Sequence, residues 1–193
     1  QISPNVWEAL VNPSSRVKFG TKVVITKNVV AEILDFLGSG KRRVAFSVPD
    51  VINYLEKIGE VPLPPYIKRE HSTKEDVIRY QTIYARKPGS VAAPTAGLHY
   101  TNRVFKKLIA KGIDTCFITL HVGYGTFKPI TTEIVEEHKL DPEQFYISEE
   151  VAELLNKKKK AGNRIIAVGT TVTRVLETQY RDGKFYPGSG YTD

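Results

Sequence analysis

Three short apolar runs, each ending in small residues and a polar turn, constrain the fold of this 193-residue chain more than any other feature. They lie at 89–100 (GSVAAPTAGLHY), 118–127 (ITLHVGYGTF) and 165–174 (IIAVGTTVTR). An apolar run that is bounded by glycine and followed by a helical pattern is typical of a strand in a parallel sheet. Ligands bind to such sheets where the turns leave the carboxyl ends of the strands. We therefore predict that the three turns meet at one edge of a sheet, together with His99 and His121.

The composition favours a globular protein that contacts a polyanion. Lysine and arginine number 28 against 21 aspartates and glutamates, a formal charge of +7, which favours RNA as a partner. Cys116 is the single cysteine, so neither a disulfide framework nor a cysteine-based metal cluster is expected. No apolar run approaches the ~20 residues of a membrane span. We expect a cytoplasmic monomer without membrane association, and the absence of methionine suggests a fragment of a longer protein.

Residues 1–58 are predicted to form a small β-barrel or sandwich that ends in a helix. Short strand-like runs alternate there with Gly-, Pro- and Ser-containing turns. A helix is expected from Asp50 to Ile58, ended by Gly59. Prolines 62, 64 and 65 then enforce an extended segment, which we take as a domain boundary. The predicted strands are 6–11, 22–26, 29–36 and 43–47.

The segment 76–84 (DVIRYQTIY) has two interpretations. It is either a helix that packs Ile78, Tyr80 and Ile83 on the core, which the spacing favours, or a wall that presents polar side chains to a ligand. In the second case Arg79, Tyr80 and Gln81 would face the ligand. The preceding residues, 68–76, are highly charged and predict a surface loop.

From residue 89 onward, predicted strands and helices alternate. This alternation predicts a mostly parallel α/β sheet, open or closed into a barrel. The clearest helix is capped by Ser148 and ended by Gly162. Its four lysines, 157–160, fit the helix dipole, and we favour that explanation over an RNA-binding patch. The other predicted strands are 89–98, 113–122, 145–147 and 164–170, and the other predicted helices start at Thr101, Thr131 and Thr171.

The turns carry residues suited to binding and proton transfer. Gly123 and Gly125 would let backbone amides approach a ligand closely, although the third glycine of a dinucleotide fingerprint is missing. The segment 169–171 (GTT) either holds a phosphate or carboxylate or simply starts a helix. His99 and His121 suit general acid–base catalysis, although a histidine in an apolar run is also a common core residue. The polar group at 138–143 has no specific metal-ligand spacing, so no metal is predicted.

The motifs, taken together, closely resemble the S-adenosylmethionine:tRNA ribosyltransferase-isomerase family of queuosine biosynthesis. The resemblance rests on APTAGLH at 93–99 and TLHVGYGTF at 119–127, and on the residues around 61–67, 80–84 and 168–177. It spans essentially the whole chain. It implies a barrel-like α/β catalytic domain, of which 59–193 is part, with an inserted β-barrel domain, of which 1–58 is part.

The resemblance also implies a reaction. The family transfers and isomerises the ribosyl group of S-adenosylmethionine onto 7-aminomethyl-7-deazaguanine at the wobble position of tRNA, and adenine and methionine leave. The implied partners are S-adenosylmethionine, as a substrate, and the tRNA anticodon stem-loop.

The residues that this chemistry would use fall into three groups. Proton transfers are assigned to His99 and His121. Substrate contacts are assigned to the turns, at Pro94, Thr95, Gly97, Gly123, Tyr124, Gly125, Thr126, Phe127, Gly169, Thr170, Thr171 and Arg174. Contacts to the tRNA are assigned to Lys68, Arg69, Arg79, Tyr80 and Gln81.

The chain departs from the family pattern in two ways, and two rival functions remain. The first strands of the family and a C-terminal Asn-Phe-His-Leu-Pro run are absent, and Asp141 stands where the family usually has histidine. A non-catalytic RNA-binding module would account for the charge but not for His99 and His121. A barrel enzyme acting on a sugar phosphate would account for the glycine-rich turns but not for the charge.

Overall fold

The computed structural model describes residues 1–38, 40–64, 67–68, 71–127, 132–138 and 140–192. The side chain of Val135 lies outside that description. The chain divides into two compact units, Gln1–Glu60 and Val61–Asp193. Among the described residues, no helix is both long enough and apolar enough to cross a membrane.

The first unit is built on a four-stranded antiparallel sheet. Its strands are β1 (Val6–Leu10), β2 (Lys22–Thr26), β3 (Val29–Gly38) and β4 (Lys41–Phe46), in the order β1-β4-β3-β2. The central strands β3 and β4 carry the alternation of buried and exposed residues that a half-buried sheet requires. The predicted strands are thus present. The sheet is open in the described residues, with β1 and β2 at its edges, so it is not a closed barrel, which was one of the two forms expected.

The core of the first unit lies on one face of that sheet. Ala31, Ile33 and Val44 are almost fully buried there. Phe19 lies outside this core and is 70% exposed. Helix α1 (Val51–Ile58) follows as predicted, because the Asp50 carboxylate accepts a hydrogen bond from the amide of Asn53 and caps the helix.

The described residues of the second unit form four α-helices, and side chains cap the starts of three of them. They are α2 (Lys74–Arg79), α3 (Asn102–Ala110), α4 (Glu149–Lys160) and α5 (Thr170–Gln179). Thr73, Thr101 and Ser148 each accept a hydrogen bond from a first-turn amide, which confirms the last two as predicted caps. The predicted helix at 131–138 is reduced to a 3-10 turn at Val135–Glu137, and Thr131 lies outside the described residues.

The sheet of the second unit is antiparallel, which corrects the prediction of a parallel one. Its strands are β5 (Thr119–His121), β6 (Gln144–Ile147) and β9 (Gly188–Tyr191), with β6 in the middle. A two-stranded hairpin, β7 (Tyr180–Arg181) with β8 (Lys184–Phe185), follows α5. The C-terminal tail thus supplies strands where the sequence predicted none. The core joins Phe145 and Ile147 of β6 to Ala152 of α4 and Val175 of α5.

Two of the predicted strands, 89–98 and 164–170, are absent from the described structure, and the predicted strand 113–122 is shortened to β5. Residues 89–98 form irregular backbone and a 3-10 turn, and residues 113–118 and 164–168 form no strand. An apolar run becomes a strand only when a neighbouring strand pairs with it, and no ladder of backbone hydrogen bonds to these runs is found in the described part of the chain. The last two runs instead line an apolar cleft of about 290 Å³, beside Leu108 and Leu154.

The segment 76–84 also differs from its favoured interpretation. Helix α2 ends at Arg79, and Ile78 and Ile83 are 78% and 55% exposed. The residues that do pack are Thr82, which is buried, and Tyr84. Tyr84 contacts the rings of Phe105 and Phe117.

Candidate active site

The first and second of the three turns are joined by hydrogen bonds through residues 89–91. The amide of Val91 donates to the carbonyl of Val122 at 2.8 Å. The Ser90 hydroxyl donates to the carbonyl of Leu120 at 3.3 Å and accepts from the amide of Val122 at 3.1 Å. The backbone before the first turn therefore lies directly along β5 and its exit.

At this junction the imidazole of His121 lies close against Gly89. Gly89 has φ of +136°, and a Cβ added there would lie 2.7 Å from His121 Nδ1. A side chain at this position would therefore collide with the imidazole and strain the backbone. His121 Nδ1 is buried, and no hydrogen-bond partner for it is found in the described residues. A buried polar atom of this kind is a candidate for an interaction with substrate.

The first turn itself, Thr95–His99, is a 3-10 turn that packs through Gly97. Gly97 is buried, and a Cβ there would collide with the Tyr84 hydroxyl and would lie 2.9 Å from the Thr82 methyl group. His99 closes the turn and is exposed, with Nδ1 3.3 Å from the carbonyl oxygen of Ala96. Its ring thus remains accessible to a ligand.

The third turn contacts the first. Gly169 has φ of +90°, and a Cβ there would lie 3.2 Å from the Cβ of Ala96. Helix α5 begins at the next residue, and no side chain caps it in the described structure. Its first amides, including those of Thr170 and Thr171, therefore open beside the first turn as donors for a negatively charged group.

The third turn is also connected to the second, through a buried ion pair. Arg174 of α5 donates from Nη1 to the Glu143 carboxylate at 3.1 Å and from Nη2 to the carbonyl of Asp141 at 3.0 Å. The other oxygen of Glu143 accepts from the amide of Gly123 at 2.8 Å. The expected convergence of the three turns is therefore present, although they leave an antiparallel sheet and irregular backbone.

The aromatic residues of the second turn lie at its surface. Tyr124 is 47% exposed, and its ring packs edge-on against Phe127 with centroids 6.2 Å apart. Thr126 is exposed as well, and Gly125 lies against Asp141. This side of the turn can accept a flat base by stacking.

The residues expected to bind tRNA show contacts that are mainly local. Arg79 pairs with Glu75 at 2.9 Å on the surface of α2, and the Gln81 side chain accepts from the amide of Thr82. Lys68 is exposed, and Arg69 lies outside the described residues. Tyr80 and Gln81 lead directly into Thr82, and so connect to the first turn through Gly97.

Sequence reasoning missed the buried residues that contact the turns. Glu143 was considered only as a metal ligand, and Tyr84 and Thr82 were given no contact to Gly97. A buried glutamate close to an arginine on a later helix has no signal in sequence spacing, because the partners are 31 residues apart. Burial and the nearby Tyr100 raise the pKa of Tyr84, so its hydroxyl stays protonated as a donor at neutral pH. Over the described part of the chain, no group of three or more potential metal ligands is found.

The model of the family described as "Queuosine biosynthesis protein" matches residues 1–193. The chain belongs to this family. Its relatives include the S-adenosylmethionine:tRNA ribosyltransferase-isomerase of Thermoanaerobacter sp. (strain X514), 48% identical over 196 residues. The protein of the same name from Caldanaerobacter subterraneus subsp. tengcongensis is 47% identical over 194 residues.

The chain is shorter than these family members. It is covered completely by the first alignment and to 99% by the second, but it spans 57% and 56% of the relatives' own lengths. A solved structure, the S-adenosylmethionine tRNA ribosyltransferase of Thermotoga maritima, is 27% identical with a TM-score of 0.38. That alignment covers all of this chain and 50% of the other.

Proposed function

We propose that the protein to which this chain belongs transfers and isomerises the ribosyl group of S-adenosylmethionine onto 7-aminomethyl-7-deazaguanine at the tRNA wobble position. The product carries an epoxycyclopentane, as in epoxyqueuosine, and adenine and methionine are released. The observation that carries this proposal is the 48% identity along the entire chain to a protein named for this activity. The convergence of the three turns supports it, because it supplies one site with histidines, open amides and exposed rings.

The histidines are assigned the proton transfers of the reaction. The positive sulfonium acidifies the neighbouring carbon–hydrogen bond, so a base is needed there, and adenine needs a proton as it leaves. His121 offers a buried nitrogen without a described partner, and His99 offers an exposed ring. The imidazole is the side chain most often used for proton transfer near neutral pH, which suits either role.

The open amides at the start of α5 are assigned to the methionine carboxylate. Thr170 and Thr171 lie where the helix dipole favours a negative group. Arg174, which we expected to share this task, is instead turned toward Glu143 and Asp141, and its side chain is 19% exposed. The proposal therefore assigns the carboxylate to the amides and a supporting role to Arg174.

The exposed rings and the basic residues are assigned to the RNA. Tyr124 and Phe127 would stack on the deazaguanine base, beside Tyr80 and Gln81. Lys68, Arg69 and Arg79 would contact anticodon phosphates, and the overall charge of +7 favours that encounter. Binding through phosphates predicts that the affinity for tRNA falls steeply as salt rises.

A product assay tests the proposal. This chain, and a chimera in which it replaces the matching part of the Thermoanaerobacter relative, are each incubated with S-adenosylmethionine and an anticodon stem-loop carrying the deazaguanine base. Mass spectrometry then identifies the small products. Release of adenine and methionine together, with a matching mass gain on the RNA, is the expected result. S-adenosylhomocysteine would show a methyl transfer and overturn the proposal, as would a folded chimera that yields no product.

Substitution of the two histidines tests their assigned roles. His99→Ala and His121→Ala in the chimera should each lower kcat by about 100-fold or more, the usual effect of removing a general acid or base. His71, an exposed histidine in the charged loop, provides the matched control, and His71→Ala should leave turnover within about twofold. Normal turnover of either variant would remove that histidine from the mechanism.

A further inference from the structure

We infer that Glu143 is a positioning residue that fixes the second turn, residues 123–127, and that Arg174 acts through it. The role of the turn in substrate binding rests on the proposed function, whereas the positioning itself is a property of the fold. The inference gives Arg174 a task other than direct recognition of the methionine carboxylate.

The two carboxylate oxygens of the buried Glu143 accept hydrogen bonds from different donors. Its side chain is 7% exposed. Oε1 accepts from the amide of Gly123 at 2.8 Å, and Oε2 accepts from Arg174 at 3.1 Å. A buried charge of this kind is stable only when it is paired and hydrogen-bonded. Removing Glu143 or Arg174 therefore leaves the other as an unpaired buried charge, whose desolvation is no longer compensated.

The backbone around Glu143 is also anchored. Its amide donates to the Thr192 hydroxyl at 3.1 Å, and the amide of Thr192 donates back to the Glu143 carbonyl at 2.9 Å. Thr192 is 1% exposed. The carboxylate therefore projects from a fixed point at the start of β6, and its position is not set by a flexible loop.

The second glycine of the turn rests on the same segment. A Cβ on Gly125 would lie 2.7 Å from an oxygen of the Asp141 carboxylate, so the turn and residue 141 are in close contact. Arg174 donates to the carbonyl of that same residue at 3.0 Å. The Arg174 guanidinium thus binds both ends of the segment 141–143. That segment in turn contacts both glycines of the second turn, Gly123 and Gly125.

The hydrogen bond between Gly123 and Glu143 also affects His121, a candidate catalytic residue. Gly123 follows His121 by two residues, and His121 pairs with Gln144, the neighbour of Glu143, in the ladder between β5 and β6. The hydrogen bond from Gly123 to Glu143 therefore sets where the backbone turns after His121. Loss of this bond should misplace the turn and the imidazole together.

Two substitutions at Glu143 separate positioning from general stability. Glu143→Gln keeps an acceptor for Gly123 and loses the charge, whereas Glu143→Ala loses both. In the active chimera we expect Glu143→Ala to lower kcat/KM by about 10- to 100-fold, the effect of one lost buried charge-assisted hydrogen bond, and Glu143→Gln to recover most of it. Equal losses in the two variants, or no loss in either, would overturn the inference.

A double-substitution experiment tests whether Arg174 acts through Glu143. If it does, Arg174→Gln combined with Glu143→Ala should cost no more than the larger single substitution, because the two residues form one unit. If Arg174 binds the methionine carboxylate directly, the losses should add and the KM for S-adenosylmethionine should rise further. Additive losses would overturn this part of the inference.

Hydrogen exchange on this chain gives a readout that does not depend on activity. In Glu143→Ala the amide of Gly123 should exchange about 10-fold faster or more, while amides of β3 in the first unit keep their rates. An unchanged Gly123 rate would overturn the inference even in an active protein. A faster rate in a chimera without activity would support the positioning role and place the failure on the proposed function.

Discussion

The two units of this chain differ in how their strand-like sequences find partners. In the first unit, all four strands lie between residues 6 and 46 and pair with one another. In the second unit, the apolar runs 113–118 and 164–168 have no described ladder and line an open cleft. A strand pattern therefore predicts an extended backbone, but a sheet forms only where a second segment supplies the pairing hydrogen bonds.

Two isoleucines in the same kind of apolar run show this contrast most directly. Ile33 in β3 is 2% exposed, and Ile166 in the unpaired run is 72% exposed. Replacing Ile33 by Ala should cost about 2–5 kcal/mol of unfolding free energy, because it leaves a cavity in a packed core. Ile166→Ala should stay within about 0.5 kcal/mol.

Urea unfolding measures this first difference. Trp7, the single tryptophan, lies in β1 and reports on the first unit by fluorescence, and far-ultraviolet circular dichroism reports on the whole chain. Equal destabilisation by Ile166→Ala and Ile33→Ala would contradict the difference in burial between the two isoleucines. That result would mean that the run 164–168 is buried in solution.

Hydrogen exchange should separate the two kinds of extended segment by about 100-fold. The amide of Ile33 donates to the carbonyl of Thr21 at 3.0 Å and opens only with its sheet. The amides of Cys116 and Ile166 have no described acceptor and should exchange at rates close to those of an open chain. Slow exchange at residues 115–117, lost on dilution, would show that a second copy pairs with these runs.

Within the second unit, close packing at the first turn contrasts with the open cleft. Gly97→Ala drives a methyl group into Tyr84 and Thr82 and should cost about 1–3 kcal/mol. Gly123→Ala is the matched control, because a Cβ there meets Glu143 at an ordinary 3.8 Å.

Thermal unfolding followed by circular dichroism measures the loss at Gly97. Tyr84→Phe removes the hydroxyl that the new methyl group meets, so it should recover part of the loss in the double variant. A Gly97→Ala variant as stable as Gly123→Ala would show that the first turn is less tightly packed than described.

The parts of the fold that the sequence predicted are those governed by local physics. The caps Asp50, Thr101 and Ser148 and the strands of the first unit depend on residues close in sequence, and all are present. The parallel sheet was wrong because β6, the middle strand, pairs antiparallel with both β5 and β9, and β9 comes from a tail without a strand signal.

The candidate site shows the same division. The turns at 95–99, 123–127 and 169–171 were predicted to meet because the runs before them were taken as strands of one parallel sheet. They do meet, although the sheet is antiparallel. Their connections through Gly97–Tyr84, Gly169–Ala96 and Glu143–Arg174 were not predicted. Each joins residues between 13 and 73 positions apart, which no local pattern encodes.

The smallest expected effect tests a purely local interaction, at the start of α4. A hydrogen bond from the Ser148 side chain lowers the pKa of Glu150, an exposed residue in the first turn. A carboxyl whose pKa is lowered on folding contributes stability that is present above its unfolded pKa and lost as the pH falls through its folded pKa. Glu150→Gln should therefore slightly reduce stability at neutral pH, and this loss should be smaller at about pH 3.

Urea midpoints at the two pH values measure this difference, with Ser148→Ala as the reference. Once the Ser148 hydroxyl is removed, Glu150→Gln should change the pH dependence less, because the larger of the two hydrogen bonds that lower the pKa is gone and only the one from the Glu150 backbone remains. A Glu150 effect of undiminished size without Ser148 would assign it to the helix dipole instead. In either case the energy comes from within one helical turn, which is why α4 was predictable from sequence although the sheet beside it was not.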